Sequence, residues 1–321
     1  MTRCDGHRSL MPLCSLCVCA RAFRFLVSSS FSGLNKTNIH YGLDWAPHHL
    51  GFWPVADITQ GQQEQMPMEE SANFFLMLSG IVRAQNNDVS WLQPYWPLLQ
   101  TWSNYLNSSL PDPGNQLCTD DFEGPSPHNV NLALKGIVGL GAYAQLLAAN
   151  GQGQESKDVL VAAEGFASQW LTLSGSSTGG PSRLQYDLPN TFSQKYNMLF
   201  HYVLQLSIFE GAQIMGQEIE YYKTQQTTWG LPLDSRGPLT KSDWTSWIAA
   251  MSADSEYSTT LFDAELTFLM TGPSKAIPFS DWYSTADGHV LGFQARPVQG
   301  GLFAKYLLTI LPAGGKAVAE E

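Results

Sequence analysis

Apolar and polar positions along this chain repeat with the period of helices rather than of strands. Residues 129–150 are apolar nearly all round, which is typical of a helix that is buried on most sides. Residues 154–172 place apolar side chains only at the spacing of one helix face, which predicts a helix with one buried side. Such a succession favours two concentric layers of helices, in which an inner helix has neighbours on every side and an outer helix meets water.

Helices are predicted along most of the chain after residue 44. Pro67, Glu69 and Glu70 predict the start of a helix over residues 67–85, because proline suits the first turn and acids complement the amino end. No segment alternates with period two for long, so we expect no large sheet. The other predicted helices lie at residues 90–107, 191–206, 208–225, 243–253, 256–271 and 300–310. The connections hold most of the unusual polar residues, and in a helical toroid the loops on one face line the cleft.

Residues 1–43 are interpreted as an amino-terminal tail. They hold four of the five cysteines, and their basic residues outnumber their single acid, Asp5, although the 321-residue chain has a net charge of −11. A short apolar run after a basic start resembles a secretory signal, but the favoured interpretation is an unstructured extension or a segment that does not belong to the native chain. Residues 44–321 form one acidic domain with no basic stripe, which argues against nucleic acid or a membrane surface as a partner. No apolar run approaches the length that a bilayer requires.

The sequence predicts neither a metal nor another cofactor. Cys14 and Cys17 form a Cys-x-x-Cys pair, but no second pair of ligands follows at the spacing of a zinc site. Gly136, Gly139 and Gly141 lie inside a predicted helix, which favours close helix packing over a phosphate-binding loop. We therefore expect a small-molecule substrate and no bound cofactor.

Carboxylates are the residues left to carry catalysis. The chain has no GxSxG elbow, no Ser-x-x-Lys nucleophile and no HExxH motif. Hydrolysis of a carboxamide needs a base, an acid for the leaving ammonia and donors for the oxyanion. Two pairs of adjacent acids lie near the start of predicted inner helices, and such pairs can hold one protonated and one ionised member: Glu69 with Glu70, and Asp120 with Asp121. The structural alternatives are acids that complement a helix dipole and acids that bond loop amides.

Polar residues in the same regions are candidates for substrate binding. They are Asn129, Asn131, Asp234, Arg236, Asp243 and Arg296. Either arginine can clamp a substrate carboxylate with two parallel hydrogen bonds, and a buried structural ion pair is the alternative. Either asparagine can bind a ligand amide, or one of them can cap the helix that follows. Asp243 lies three residues after Thr240, the spacing of a capping box, which favours a structural role.

Five blocks of the sequence resemble the fungal secreted glutaminase A family. They span roughly residues 44–310 and read WAPHHLGFWPVADITQGQQEQMPMEESANFFLML, PGNQLCTDDFEGPSPHNVNLALKGIVGLGAYAQLL, LQYDLPNTFSQKYN, WGLPLDSRGPLTKSDWTSWIAAM and PFSDWYSTADGHVLGFQARPVQGGLFAKYL. The resemblance implies an all-α fold, a partial (α/α)6 toroid of the six-hairpin glycosidase-like type. It also implies truncation at the amino-terminal side, where the family has a β-sandwich domain and early hairpins. The family usually has His-Asp where this chain has His48 and His49.

The same resemblance implies a function. It implies an extracellular hydrolase that releases ammonia from L-glutamine, with the carboxylates as acid and base. One alternative is a carbohydrate-active toroid that uses the same carboxylates across a glycosidic bond. A second alternative is a truncated, non-catalytic remnant. A small pocket with paired arginine and aspartate favours glutamine, whereas an open groove lined by tryptophan favours a saccharide.

Overall fold

The computed structural model describes residues 42–49, 64–273 and 278–311, and these residues are mainly helical. The α-helices are α1 Pro67–Ala84, α2 Trp96–Ser109, α3 Val130–Ala149, α4 Gly153–Leu173, α5 Leu199–Val203, α6 Ile214–Gln225, α7 Ser242–Met251, α8 Ser255–Thr271 and α9 Ala304–Ile310. Short 3-10 helices span Ser90–Tyr95, Asp121–Glu123, Ser176–Thr178, Tyr196–Met198 and Pro297–Phe303. The predicted all-α class is confirmed. Residues 1–41 lie outside the described residues, so the tail stays a prediction.

Helices α1 and α3 pack against each other in parallel. Gly136 of α3 lies against Met68 near the start of α1, and Gly139 lies against Ala72 one turn later. Near the other end, the Ser79 hydroxyl donates to the Gln145 side-chain oxygen at 2.8 Å. Both amino termini therefore lie at the same end of the fold, which brings the loops that precede them together.

Helix α4 covers α3 from outside and runs antiparallel to it. Its Ser156 hydroxyl donates to the Ala144 carbonyl at 2.8 Å, and its Trp170 indole N–H donates to the Val130 carbonyl at 2.8 Å. In α3, 17 of 20 residues are buried, whereas in α4 only three of 21 are. The predicted inner and outer helices are thus confirmed.

Helix α3 is, within the described part of the chain, the one helix long and apolar enough to cross a membrane by length and composition alone. Of its most apolar window, 83% is buried inside the protein. Lys135 and Gln145 interrupt its apolar residues, which is why the sequence shows no continuous run of that length. Such burial is typical of the core helix of a helical domain.

The contact between Gly139 and Ala72 gives a test of this packing. A methyl group at Gly139 would lie 2.8 Å from the Cβ and 2.9 Å from the Cα of Ala72, and a backbone atom cannot rotate away. We expect Gly139→Ala to lower the free energy of unfolding by about 1–3 kcal/mol, the usual cost of overpacking a core. The matched control is Gly165→Ala on the exposed side of α4, where a methyl group meets nothing within 4 Å. Gly165→Ala should leave the free energy of unfolding unchanged or raise it by up to about 1 kcal/mol, because alanine has the higher helix propensity. Equal losses of stability in the two variants, measured by urea unfolding, would contradict the packing argument.

Three short strands form an antiparallel sheet in the order β1 Leu239–Lys241, β2 Ser280–Ser284 and β3 Val290–Gln294. Lys241 pairs with Trp282, and the register shifts between Trp282 and Tyr283. The sequence predicts no large sheet, which agrees with this size, but it does not reveal these strands. The sheet brings the residue before α7 next to β2, and this placement builds part of the site described below.

Two predicted helices are shorter than the pattern suggests. Residues 191–206 are predicted as helix, but helical structure begins at Tyr196. The backbone N–H groups of Phe192 and Gln194 are bonded instead to the Ser235 hydroxyl at 2.8 Å and the Leu233 carbonyl at 2.7 Å. Residues 208–225 are predicted as helix, but α6 begins at Ile214, after Gly211 takes a left-handed φ of 78°. Backbone bonds to distant residues override the helical pattern in the first case, and a turn does so in the second.

Candidate functional site

The loops that precede α1 and α3 meet the segments around Tyr196 and Arg236 at one end of the fold. The residues that gather there are called the carboxylate cluster: Glu69, Asp120, Glu123, Tyr196, Asp234 and Arg236. Glu69 lies in the first turn of α1, and Asp120 directly precedes the 3-10 helix Asp121–Glu123. Tyr196 opens the 3-10 helix Tyr196–Met198. The cluster is assembled because α1 and α3 start at the same end.

Asp120 is the carboxylate at the centre of this cluster. It is 1% exposed, and its Oδ1 accepts a hydrogen bond from the Tyr196 hydroxyl at 2.5 Å. Burial raises the pKa of Asp120 to about 7, and the negative charges of Asp234 and Glu69 act in the same direction. The Tyr196 hydrogen bond and the Arg236 charge oppose the rise. Asp120 is therefore poised to gain or lose a proton near neutral pH.

The adjacent acids Glu69 and Glu70 have separate partners. Glu69 is buried and forms an ion pair with the buried Lys135 of α3. Glu70 accepts from Nδ1 of His48 at 2.6 Å, and its side chain is 16% exposed. The Asn73 amide one turn later donates to Glu69 Oε1 at 3.4 Å and to Glu70 Oε2 at 3.3 Å. Glu69 therefore belongs to the carboxylate cluster, whereas Glu70 faces the segment that contains His48.

Arg236 holds two loops together. Its Nε lies 3.0 Å from each oxygen of Asp234, and its Nη2 donates to Asp234 Oδ2 at 2.6 Å. Its Nη1 donates to the Gly124 carbonyl at 2.6 Å, and Nη2 lies 3.5 Å from the Asp120 carbonyl. Most of its donors are thus bonded within the protein, which supports the structural ion pair; the substrate clamp at Arg236 stays a prediction.

Glu123 and Cys118 are buried beside Asp120. Both carboxyl oxygens of Glu123 lack a hydrogen-bond partner among the described residues, and Oε2 lies 4.0 Å from Arg236. Burial raises the pKa of Glu123, the charge of Asp234 adds to the rise and the charge of Arg236 opposes it. Burial and the charge of Asp120 hold the pKa of the Cys118 thiol well above its usual range. Cys118 is therefore a poor nucleophile.

A second group of charges, called the lysine cluster, lies next to the sheet and consists of Lys241, Asp243, Asp281 and Arg296. Asp281 accepts from Lys241 Nζ at 2.8 Å and from Arg296 Nη2 at 2.5 Å. Asp243 Oδ1 lies 3.7 Å from Lys241 Nζ and has no hydrogen-bond partner within the described ranges. Burial raises the pKa of Asp243 to about 6, although the charge of Lys241 opposes the rise. Arg296 keeps 37% of its side chain exposed.

One stacked ring pair joins the two clusters. The ring of Tyr196 lies 4.3 Å from that of Trp244 with an angle of 5° between the planes. The Lys241 ammonium lies 4.4 Å from the centre of the Trp244 ring, within the range of a cation–π contact. The Tyr196 hydroxyl bonds Asp120, so a single stack connects the titrating carboxylate to the lysine cluster.

The two asparagines have different roles. Asn129 caps α3, because its Oδ1 accepts from the Leu132 N–H at 2.8 Å. Asn131 is buried, and neither its amide nitrogen nor its amide oxygen has a hydrogen-bond partner in the described part of the chain. Its backbone carbonyl accepts from the side chain of Asn197 at 3.0 Å. Asn129 is therefore the helix cap, and the ligand-binding role of Asn131 stays a prediction.

The structure thus divides the predicted site residues between neighbouring groups. Asp120, Glu69, Asp234 and Arg236 lie in the carboxylate cluster, Asp243 and Arg296 lie in the lysine cluster, and Glu70 lies at His48. The backbone of Asp121 opens a 3-10 helix, and its side chain lies outside what the structure describes. Sequence reasoning missed Tyr196, Glu123, Lys241 and Asp281. All four lie inside the sequence blocks that resemble the family, and this position was the sequence feature that could have identified them.

Known proteins resemble this chain over most of its length. A family model described as the Glutaminase A six helical-hairpin domain matches residues 9–306. Glutaminase A of Aspergillus oryzae is 32% identical over 281 residues, which are 85% of this chain and 40% of that protein. A protein named "Probable glutaminase" of Arthroderma benhamiae is 30% identical over 263 residues, 73% of this chain and 30% of that protein. The chain therefore spans less than half the length of these curated relatives.

The family match has two consequences for the predictions. It begins at residue 9, inside the predicted tail, and the boundary at residue 43 stays a prediction. Its helical-hairpin description agrees with the paired helices and confirms the partial toroid. By its matched residues and its fold, the chain belongs to the glutaminase A family.

Proposed function

We propose that this chain hydrolyses the side-chain carboxamide of L-glutamine and releases ammonia. The observation that carries the proposal is the buried Asp120 carboxyl, whose Oδ1 accepts from the Tyr196 hydroxyl at 2.5 Å. Burial raises its pKa to about 7, which suits proton transfer at neutral pH. Membership of the glutaminase A family supports the choice of substrate. We further propose, from the family resemblance, that the protein acts outside the cell on a small molecule and binds neither nucleic acid nor membrane.

Asp120 carries the proton through the reaction. Ionised Asp120 takes a proton from water as the water oxygen bonds to the carboxamide carbon. Asp120 then gives that proton to the leaving nitrogen, the C–N bond breaks, and glutamate and ammonia leave. Tyr196 holds the carboxyl by its hydrogen bond of 2.5 Å, while burial, with the charges of Asp234 and Glu69 adding to it, keeps the pKa of Asp120 raised.

The lysine cluster has the charges that recognise an amino acid. Lys241 and the part-exposed Arg296 carry the positive charge that the α-carboxylate of glutamine needs. Asp243 Oδ1 has no hydrogen-bond partner among the described residues, so it can accept from the α-ammonium group. Paired arginine and aspartate support glutamine rather than a saccharide as the proposed substrate.

The proposal is tested by measuring ammonia release from L-glutamine by the full chain. Glutaramate, which lacks the α-ammonium group, should be a poorer substrate, and Asp243→Asn should reduce the difference between the two compounds. A panel of glycosides runs beside them. Cleavage of a glycoside without ammonia release would favour the carbohydrate-active alternative, and no turnover of any substrate would favour the non-catalytic one; either outcome overturns the proposal.

The contact between Tyr196 and Asp120 predicts a change in pH dependence. Because the hydroxyl stabilises ionised Asp120, its loss in Tyr196→Phe should raise the pKa of Asp120 further. The midpoint of kcat/KM across the neutral range should therefore move to higher pH. Tyr186→Phe is the matched control, since that hydroxyl donates to the backbone carbonyl of Pro111 at 2.8 Å. An unmoved midpoint in Tyr196→Phe, or an equal shift in both variants, would exclude Asp120 as the titrating group.

A further inference from the structure

Two adjacent histidines converge with an acid at the edge of the site. His48 Nε2 lies 3.5 Å from Glu64 Oε2, and His49 Nε2 lies 3.8 Å from Glu64 Oε1. One ligand atom from each of the three residues lies within 4.8 Å of the others. His49 and Glu64 are too far apart in sequence to form a recognisable metal-binding motif. The sequence therefore predicts no metal here.

The spacing of these atoms suits a small divalent cation. Zinc bonds of about 2.0–2.1 Å in a tetrahedron place neighbouring ligand atoms about 3.3–3.5 Å apart. The distance from His48 Nε2 to Glu64 Oε2 is 3.5 Å, at this value, and that from His49 Nε2 to the other oxygen, Oε1, is 3.8 Å. Since one ligand atom from each residue lies within 4.8 Å of the others, the side chains must move closer together to surround an ion. Imidazole and carboxylate donors suit zinc and its transition-metal neighbours, whereas magnesium and calcium prefer oxygen alone.

Glu70 supplies the second feature of a built metal site. Its Oε1 lies 2.6 Å from Nδ1 of His48, and in the neutral tautomer that donates from Nδ1 to this carboxylate, Nε2 is the nitrogen that can bind a metal. Glu70 is held in turn by the Asn73 amide, which donates to Oε2 at 3.3 Å. A carboxylate that orients a histidine from behind is the usual partner of a metal-binding imidazole.

We propose that His48, His49 and Glu64 bind one divalent transition-metal ion such as Zn²⁺, with Glu70 orienting His48. Three protein ligands leave a fourth position for water or another small ligand. The ion ties residues 42–49 to the start of α1, beside the carboxylate cluster. This inference is independent of the proposed glutaminase activity, because it concerns binding and is tested without turnover.

The test is a titration of the metal-free full chain with Co²⁺, followed by competition with Zn²⁺. We expect one equivalent of Co²⁺ with the absorption of imidazole and carboxylate ligands. Thiolates are also ligands for such ions, so any binding at the four cysteines within the first 19 residues would be recognised by its thiolate charge-transfer band. A spectrum dominated by thiolate, or the absence of binding, would overturn the proposal.

Variants locate the site. Loss of the partner that orients a ligand usually lowers metal affinity about 10–100-fold, and we expect a loss of this size in Glu70→Gln. Because His49 and Glu64 are ligands themselves, His49→Ala and Glu64→Gln should each lower the affinity for Co²⁺ by more than that. His289→Ala is the control, because His289 is an exposed histidine that pairs with Asp287 at 3.2 Å. Circular dichroism checks folding, and if His49→Ala unfolds, the conservative Glu64→Gln decides. Unchanged affinity in a folded Glu64→Gln would contradict the assignment.

Discussion

Asp120→Asn should lower kcat/KM for ammonia release from L-glutamine by about 10²–10⁴-fold, the usual contribution of a general acid–base group. The amide keeps the size of the side chain but cannot take up or return a proton. Its carbonyl oxygen still accepts from the Tyr196 hydroxyl, so the local structure should survive. Steady-state rates of ammonia release, with unfolding curves for both proteins, measure the effect.

Asp158→Asn is the matched control for this substitution. Asp158 is exposed on α4 and accepts from the Gln154 amide at 2.9 Å, so the same chemical change should leave kcat/KM unchanged. A loss below tenfold in Asp120→Asn would show that another group transfers the proton. One candidate would then be Glu69, whose charge already acts on Asp120.

Arg236→Met should lower the free energy of unfolding by about 3–5 kcal/mol, the cost of removing one partner of a buried ion pair. Asp234 has no exposed side-chain surface, and it would keep a negative charge with no cation bonded to it. The carbonyl of Gly124 would lose its donor as well. Urea unfolding followed by circular dichroism measures the change.

The double variant Asp234→Asn/Arg236→Met distinguishes the loss of the ion pair from a general loss of loop structure. It should recover part of the stability, because no uncompensated charge remains buried. Lys223→Met is the surface control, since Lys223 pairs with Glu220 and Asp254 in exposed positions and should change stability little. If the double variant were as unstable as the sum of both single variants, the pair would not act as a unit.

The helices could be predicted from the sequence because their signal is local. The all-round apolar pattern of residues 129–150 and the one-sided pattern after it report directly how many neighbours each helix has. The prediction of helix fails at Gln194 because its backbone N–H donates to the carbonyl of Leu233, which is distant in sequence, and not to a carbonyl of a helical turn. The local sequence pattern around Gln194 gives no information about this distant partner.

The site could be predicted only in part, for the same reason. Acids near helix starts are visible in the sequence, and Asp120 is among them. What distinguishes Asp120 is a hydroxyl 76 residues away and complete burial, neither of which has a local pattern. Lys241 and Asp281 likewise become partners only because β1 and β2 pair. The choice of Asn129 rather than Asn131 as the helix cap also needed the backbone.

The unequal burial of α3 and α4 also sets the order in which the fold opens. Amide hydrogens exchange with solvent through local openings where few apolar contacts must break, and through global unfolding where many must. Helix α4, with three buried residues, can loosen while the rest of the protein stays folded. Helix α3, buried at 17 positions, can expose its amides only when the whole domain unfolds. Since α3 carries Lys135 and its cap Asn129, we expect the framework beneath the carboxylate cluster to be among the slowest-exchanging of the described residues.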